Sequence, residues 1–302
     1  MSMTGLVVLF CIALAAAVSG CAGPAAGPTR PPGTLELKVG VAAFTGVDPL
    51  ADCDRFAAWG AEYVEPALSK TAALSEAEFE AAKRKVLASP VRVEAANWFV
   101  PGDIRLTGPA VDRAKIRAYL EKALGRAEAL GAKVVVFGSP GARNAPEGFP
   151  KEKAWKQLQD FLRQCAEVIE ERGYGMVIAI EPLRKQESNL VNTAAEGLQL
   201  AREVNRPSIR LHIDFYHLAV ENEDPAVILE AKDYIAHLHM AEPKERRLIR
   251  AESEDPRLAP FFANLKAIGY RGRISVEGPV QNAEEDIRAG LAFLKAMAAK
   301  HR

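Results

Sequence analysis

The chain has 302 residues, with 39 basic and 39 acidic side chains and a formal net charge of zero. That balance excludes a general nucleic-acid-binding surface, which needs an excess of Lys and Arg. With 49% hydrophobic and 26% charged residues, the composition is that of a globular protein, and the length suits one or two ordinary domains or a single α/β barrel of about 250 residues.

The first segment, Leu6 to Val18, is an apolar run that ends at Ser19-Gly20-Cys21. It is too short for a spanning helix, which needs ~20 residues, and has the length and small-residue exit of a secretory signal. Val18-Ser19-Gly20-Cys21 resembles a bacterial lipobox, although residues 1–5 carry no Lys or Arg. Residues 1–20 are therefore expected to be a lipoprotein-type signal peptide, with Cys21 the lipidated mature N-terminus. The expected location is exported and membrane-anchored, facing the periplasm or cell exterior, with membrane contact only through that anchor. An uncleaved anchor and a soluble secreted form are the alternatives. Residues 21–34, rich in Pro, Gly and Ala, read as a tether. The domain then runs over 35–302. Its two cysteines, Cys53 and Cys165, show no disulfide spacing and are expected to be buried thiols.

From residue 37 onward, short apolar runs alternate with longer stretches of helical period. Strands are predicted at 37–43, 62–68, 92–98, 133–138, 176–182, 209–214, 235–240 and 273–279. Helices are predicted at 48–60, 75–88, 109–130, 151–172, 193–204, 224–231, 257–268 and 283–299. Ser75 precedes an acidic first turn and Thr193-Ala-Ala-Glu196 reads as a capping box. Gly131 and Gly173 stand where helices end. Strict alternation implies a parallel sheet, and its count and length favour a closed (β/α)8 TIM barrel. No G-x-G-x-x-G follows the first strand, which disfavours a dinucleotide fold.

In such barrels the chemistry lies at the C-terminal strand ends. There the fifth strand places Glu181, the sixth Asp214, the seventh His239 and the eighth Glu277. Three carboxylates and an imidazole at one mouth would repel each other without a cation, and this donor set suits Mn2+, Mg2+, Co2+ or Zn2+. Four of the five histidines fall within 208–242. His212 shares a strand face with Asp214, and His237 with His239, so the deeper pair reads as barrel lining or support. Glu65, Asn97, Trp98 and Phe44 are further mouth-facing candidates, with Glu65 and Asn97 expected to contact substrate. The loop 138–143 does not match a phosphate loop and reads as a tight turn.

With these motifs the chain resembles the sugar phosphate isomerase/epimerase family, the xylose isomerase-like TIM barrels that include ketose 3-epimerases and hydroxypyruvate isomerases. The resemblance covers about residues 36–298. It rests on I-E-P-L with a second Glu six residues on (Glu181, Glu187), D-x-x-H (Asp214, His217), H-L-H-x-x-E with a following Arg (His237, His239, Arg246), and S-V-E-G-P (Glu277). It implies one divalent metal on Glu181, Asp214, His239 and Glu277, with Glu181 and Glu277 as the catalytic acid/base pair. Glu187, His217 and Arg246 would orient a carbohydrate substrate. The Arg246 match needs a one-residue insertion, which leaves Arg247 as a rival.

The implied activity is isomerisation or epimerisation of a sugar by proton removal beside a carbonyl, through an enediolate. An exported lyase or hydrolase acting on keto-sugars or keto-glycosides with the same site is an alternative. So is a non-catalytic, lipid-anchored sugar-binding protein. A three-zinc nuclease fits poorly, because no histidine precedes His212 and the charge balance disfavours DNA. The reading expects no nucleic-acid partner and leaves a homo-oligomer open.

Overall fold

The computed structural model describes residues 33–301. The proposed signal peptide and Cys21, and nearly all of the tether, lie outside the described residues. Nine parallel strands form a nearly closed barrel: β1 (Glu36–Ala42), β2 (Tyr63–Glu65), β3 (Arg92–Val93), β4 (Ala95–Ala96), β5 (Val134–Phe137), β6 (Val177–Ile180), β7 (Ile209–Asp214), β8 (Ile235–Met240) and β9 (Arg271–Val276). The order is β3-β2-β1-β9-β8-β7-β6-β5-β4. The sheet thus begins and ends on the two halves of the single strand predicted at 92–98. Between them, Glu94 donates its N–H to Val64 O at 3.4 Å and accepts from Lys133 N at 2.9 Å. Segment 92–96 therefore links β2 to β5, and the ladder is weakest at Glu94.

Period-2 alternation divides the side chains of each strand between two cores. Outward residues such as Val135, Phe137, Ile178, Ile180, Leu211 and Ile213 join the main apolar core under the helices. Burying a Val, Leu, Ile or Phe side chain there stabilises by ~1.5–3 kcal/mol each. Inward residues Tyr63, Ala95, Val134, Val136 and Ala179 form a small second cluster inside the barrel.

The main helices lie near their predicted places, at Glu76–Ala88, Arg113–Leu130, Lys151–Arg172, Ala194–Val204, Leu258–Ala267 and Ala283–Lys300. Ser75 and Glu78 form a full capping box. At Thr193 only half of the box is present. Its hydroxyl accepts from Glu196 N at 3.1 Å, while the Glu196 carboxylate takes Asn192 N. Gly131 and Gly173 end their helices at φ 96° and 66°. Three short helices, Leu68–Ala73, Pro140–Arg143 and Phe215–Val220, stand where no helix was predicted, and the tight turn expected at 138–143 is partly helical. Cys53 and Cys165 are buried and free.

Candidate metal centre and substrate cleft

The four strand-end residues meet at the C-terminal mouth. One donor atom from each of Glu181, Asp214, His239 and Glu277 lies within 4.8 Å of the others, and all four are buried. β7 ends at Asp214, which then caps the helix Phe215–Val220, because its Oδ1 accepts from Tyr216 N at 2.8 Å. The other oxygen, Oδ2, is left facing the cluster. Glu181 follows β6, where Gly138, just past the end of the neighbouring β5, makes room for it. A Cβ on Gly138 would lie 2.2 Å from Glu181 Oε2. Glu277 follows β9 and accepts from Asn97 Nδ2 at 2.8 Å.

The donor set fits a divalent cation. His239 Nδ1 is buried without a hydrogen bond and lies 3.5 Å from Glu277 Oε2 and 3.9 Å from Glu181 Oε1. These separations are too long for hydrogen bonds and leave the donors facing a common centre. Three carboxylates meet one guanidinium there. Arg246 pairs with Glu277, with Asp214 at 3.3 Å and with Glu187 at 3.6 Å.

The electrostatics set the carboxyls apart. Burial, with Glu277 and Asp214 adding repulsion, pushes Glu181 up to about 8. Burial also pushes Asp214 up to about 6, even though Arg246 opposes it. Burial acts on Glu277 in the same sense, but His239 and Arg246 outweigh it and bring it to about 2. His217 is held well below the usual imidazole range by burial and by Arg246.

Sequence reasoning placed Glu65 against the substrate; the structure places it deeper. Glu65 is fully buried and lies beneath the mouth, accepting from His237 Nε2 at 2.8 Å and His239 Nε2 at 3.0 Å. Ser275 Oγ donates to it at 2.6 Å and is itself bonded to Tyr63 OH at 2.7 Å. Burial would raise the Glu65 carboxyl, but the two histidines outweigh it and hold it well below the usual carboxylate range. Asn97 likewise spends its amide on Glu277 and on Ala43 O. His212 is fully buried beside His237 and His239.

Above the cluster opens a cleft of about 710 Å³, within the size range of small-molecule sites. Phe44, Trp98, Leu183, Tyr216 and Pro279 form its apolar walls, and Glu187, His217 and Arg246 reach into it. Of the two rival arginines, Arg246 is the one that lines the cleft. Arg247 turns away to pair with Glu242 at 2.9 Å. The Arg246 guanidinium stacks over Tyr216 at 4.5 Å and Phe44 at 5.2 Å. Arg184 N donates to His217 Nδ1 at 3.1 Å, which turns Nε2 toward Asp214 Oδ2, 3.6 Å away. Four cleft residues other than glycine, Trp98, Ser139, Glu245 and Arg246, have φ between 46° and 59°. Such strain persists where surrounding structure over-determines it, commonly at functional sites.

Arg143 escaped the sequence reading. It is fully buried and donates to Glu181 O at 2.7 Å, Val191 O at 3.1 Å and Ser188 Oγ at 3.3 Å. It clamps the end of β6 to the loop that carries Glu187. Burial brings its guanidinium down to about 10. A fourth bond reaches Phe137 O at 3.3 Å, but the three that make the clamp span 38 to 48 residues, beyond the reach of any local pattern.

Fold and site together define a TIM-barrel protein whose mouth gathers a candidate oxygen-rich cation centre. The chain belongs to the xylose isomerase-like TIM barrel family, whose profile it matches over residues 53–297. It is similar to the L-ribulose 3-epimerase of Methylomonas sp. (strain DH-1), being 33% identical over 183 residues, which cover 58% of this chain and 59% of that protein. It is also similar to the 3-dehydro-D-guloside 4-epimerase of Escherichia coli (strain K12). There the identity is 26% over 143 residues, 46% of this chain and 53% of that one. The chain thus spans between half and three fifths of the length of these two curated relatives. The crystal structure of D-allulose 3-epimerase from Methylomonas sp. superposes with a TM-score of 0.75 at 23% identity, over 88% of this chain and 99% of that one. That likeness speaks for the fold.

Proposed function

We propose that the chain is a divalent-metal-dependent sugar epimerase of the isomerase class. The observation that carries this reading is the convergence of Glu181, Asp214, His239 and Glu277 on one buried centre under an open cleft. Family membership and the ketose 3-epimerase names of relatives support it.

The four residues would hold one divalent cation, Mn2+, Mg2+, Co2+ or Zn2+. When bound, such an ion supplies Lewis acidity that offsets charge on an enediolate. The chain's own residues do the rest. Glu181 and Glu277 are the two carboxyls placed to exchange a proton with the carbon beside the carbonyl. One removes the proton and the other returns it. Return to the same carbon from the opposite side gives the epimer; return to the neighbouring carbon gives the isomer. Asn97 holds the Glu277 carboxylate in place, Arg143 holds the strand end at Glu181, and Gly138 leaves room for the Glu181 carboxylate. Arg246, Glu187 and His217 offer donors and acceptors for hydroxyl groups, while Phe44, Trp98 and Tyr216 pack against the substrate and exclude water.

A second reading keeps the site and enlarges the substrate. The cleft extends beyond the ligand cluster to Val100, Gly102 and Pro140, and one relative is named for a dehydro-guloside. A keto-glycoside whose α-proton loss leads to β-elimination fits the same residues. The location belongs to the proposal as well: export, with Cys21 lipidated. Cys21→Ser should release the protein from membranes or block its processing; unchanged processing and membrane partition would overturn that part. The epimerase reading is tested with Mn2+-loaded protein on L-ribulose, D-psicose and a keto-glycoside panel. It expects interconversion of epimers, abolished in Glu277→Gln with the fold intact. Full activity in Glu277→Gln would remove that residue from the mechanism.

A further inference from the structure

Directly beneath the carboxylate cluster the barrel holds two histidines that the proposed reaction leaves idle, His212 and His237, packed against His239 of the cluster. His212, His237 and His239 are fully buried. The His212 ring lies 4.2 Å from that of His239 and 5.3 Å from that of His237. One ligand nitrogen from each lies within 4.8 Å of the others. The register pairs His212 with His237 and Asp214 with His239, so His212 and His237 form a layer one step below the carboxylates.

Two observations separate this cluster from ordinary packing. Glu65 takes Nε2 of both His237 and His239. A carboxylate in that position fixes the ring proton on Nε2 and leaves Nδ1 as a bare lone pair, the support that histidine metal ligands characteristically have. His237 Nδ1 nonetheless makes no hydrogen bond, and neither ring nitrogen of His212 makes one, although His212 Nε2 lies 3.8 Å from Glu181 Oε1. A neutral imidazole has one donor and one acceptor to satisfy, and buried polar atoms are normally satisfied. Packing alone would be served by an apolar side chain, as Val136 and Ala179 serve elsewhere in the same barrel.

We propose that His212, His237 and His239 form a second cation site, rich in nitrogen, that takes a borderline-soft ion such as Zn2+. Three imidazoles with carboxylate support suit Zn2+, whereas the oxygen-rich cluster above also suits Mn2+ or Mg2+. His239 belongs to both sets. Filling the lower site therefore withdraws a donor from the upper one, and Zn2+ weakens the hold on Mn2+. This inference stands apart from the epimerase reaction.

The test is calorimetric titration of the metal-free full chain with Zn2+, alongside Asp214→Ala, which dismantles the upper cluster. Asp214→Ala is expected to retain about one Zn2+ per chain, and adding His212→Phe to it should weaken that binding at least tenfold. Where circular dichroism shows the His212→Phe chain unfolded, His212→Gln decides in its place and should weaken binding likewise. In the wild-type chain, prior Zn2+ should lower Mn2+ affinity, and His212→Gln should relieve that competition. Absence of Zn2+ binding in Asp214→Ala would overturn the proposal, as would Zn2+ binding unaffected by the His212 change. Loss of sugar turnover with Zn2+ binding intact would count against the epimerase reading alone.

Discussion

Two walls face each other inside this barrel. On one, β4 to β6 present Ala95, Val134, Val136 and Ala179, which pack with Tyr63. On the other, β7 to β9 present His212, Asp214, His237, His239, Ser275 and, just past the last strand, Glu277. All of these strands run parallel, but β4 has two residues and β5 and β6 four each, against six in each of β7, β8 and β9, and the inward residues differ in kind. The comparison teaches how the site gets its properties. The apolar wall keeps water from the polar one, which strengthens every electrostatic interaction there and makes each unpaired group costly. That is why Glu181 is pushed up to about 8 while Glu277, beside His239 and Arg246, falls to about 2. The polar wall carries most of the candidate site and the apolar wall carries packing, so on the proposed function substitutions on the two should fail in different ways.

The largest effect is expected on the polar wall. Glu277→Gln should lower kcat by about 10²–10⁴-fold, the usual contribution of a proton-transfer group, with the melting temperature little changed. Kinetics on metal-loaded protein check it, and near-wild-type kcat would break the division. Next comes Gly138→Ala, just past β5 on the apolar wall and beside Glu181. The new methyl would overlap the Glu181 carboxylate, the movable end of a side chain, so the fold should survive while the carboxylate shifts. A displacement of about 1 Å can cost on the order of 10²-fold in kcat. An unchanged rate would show that Glu181 has room to spare.

Glu65→Gln should act through metal retention. Losing the charge that orients His237 and His239 should weaken affinity by about 10–100-fold, read as divalent metal content after graded dialysis. The smallest effect on function is expected from Val136→Ala on the apolar wall. It should cost roughly 2 kcal/mol of stability, seen as a lower melting temperature, with metal affinity unchanged. A loss of metal in that variant would mean that the two walls are coupled.

Much of this layout is legible in the sequence because it obeys simple periods. Strand alternation puts His212 with Asp214 and His237 with His239 on one face, and the strand ends place Glu181, Asp214, His239 and Glu277 at one mouth. What is not legible depends on partners distant in the chain. Glu65 reads as a mouth residue from its place near a strand end. Only the fold shows that β2 carries it under the two histidines of β8. Arg143 ends the short helix Pro140–Arg143, whose local sequence says nothing of the carbonyls it holds. Arg246 and Arg247 are neighbours, and the positive φ at Glu245 and Arg246 decides which one turns inward. The short helices Leu68–Ala73, Pro140–Arg143 and Phe215–Val220 are below the length at which helical period can be read, and tertiary contacts form them.

The central claim is proton abstraction beside a carbonyl by the Glu181–Glu277 pair. It is tested most directly by running the Mn2+-loaded protein with L-ribulose, D-psicose and the keto-glycoside panel in D2O and following the sugar by NMR. The account predicts deuterium at the carbon beside the carbonyl, appearing with the epimer and lost in Glu277→Gln. Conversion with the original proton retained, or no deuterium in any of these sugars, would contradict it.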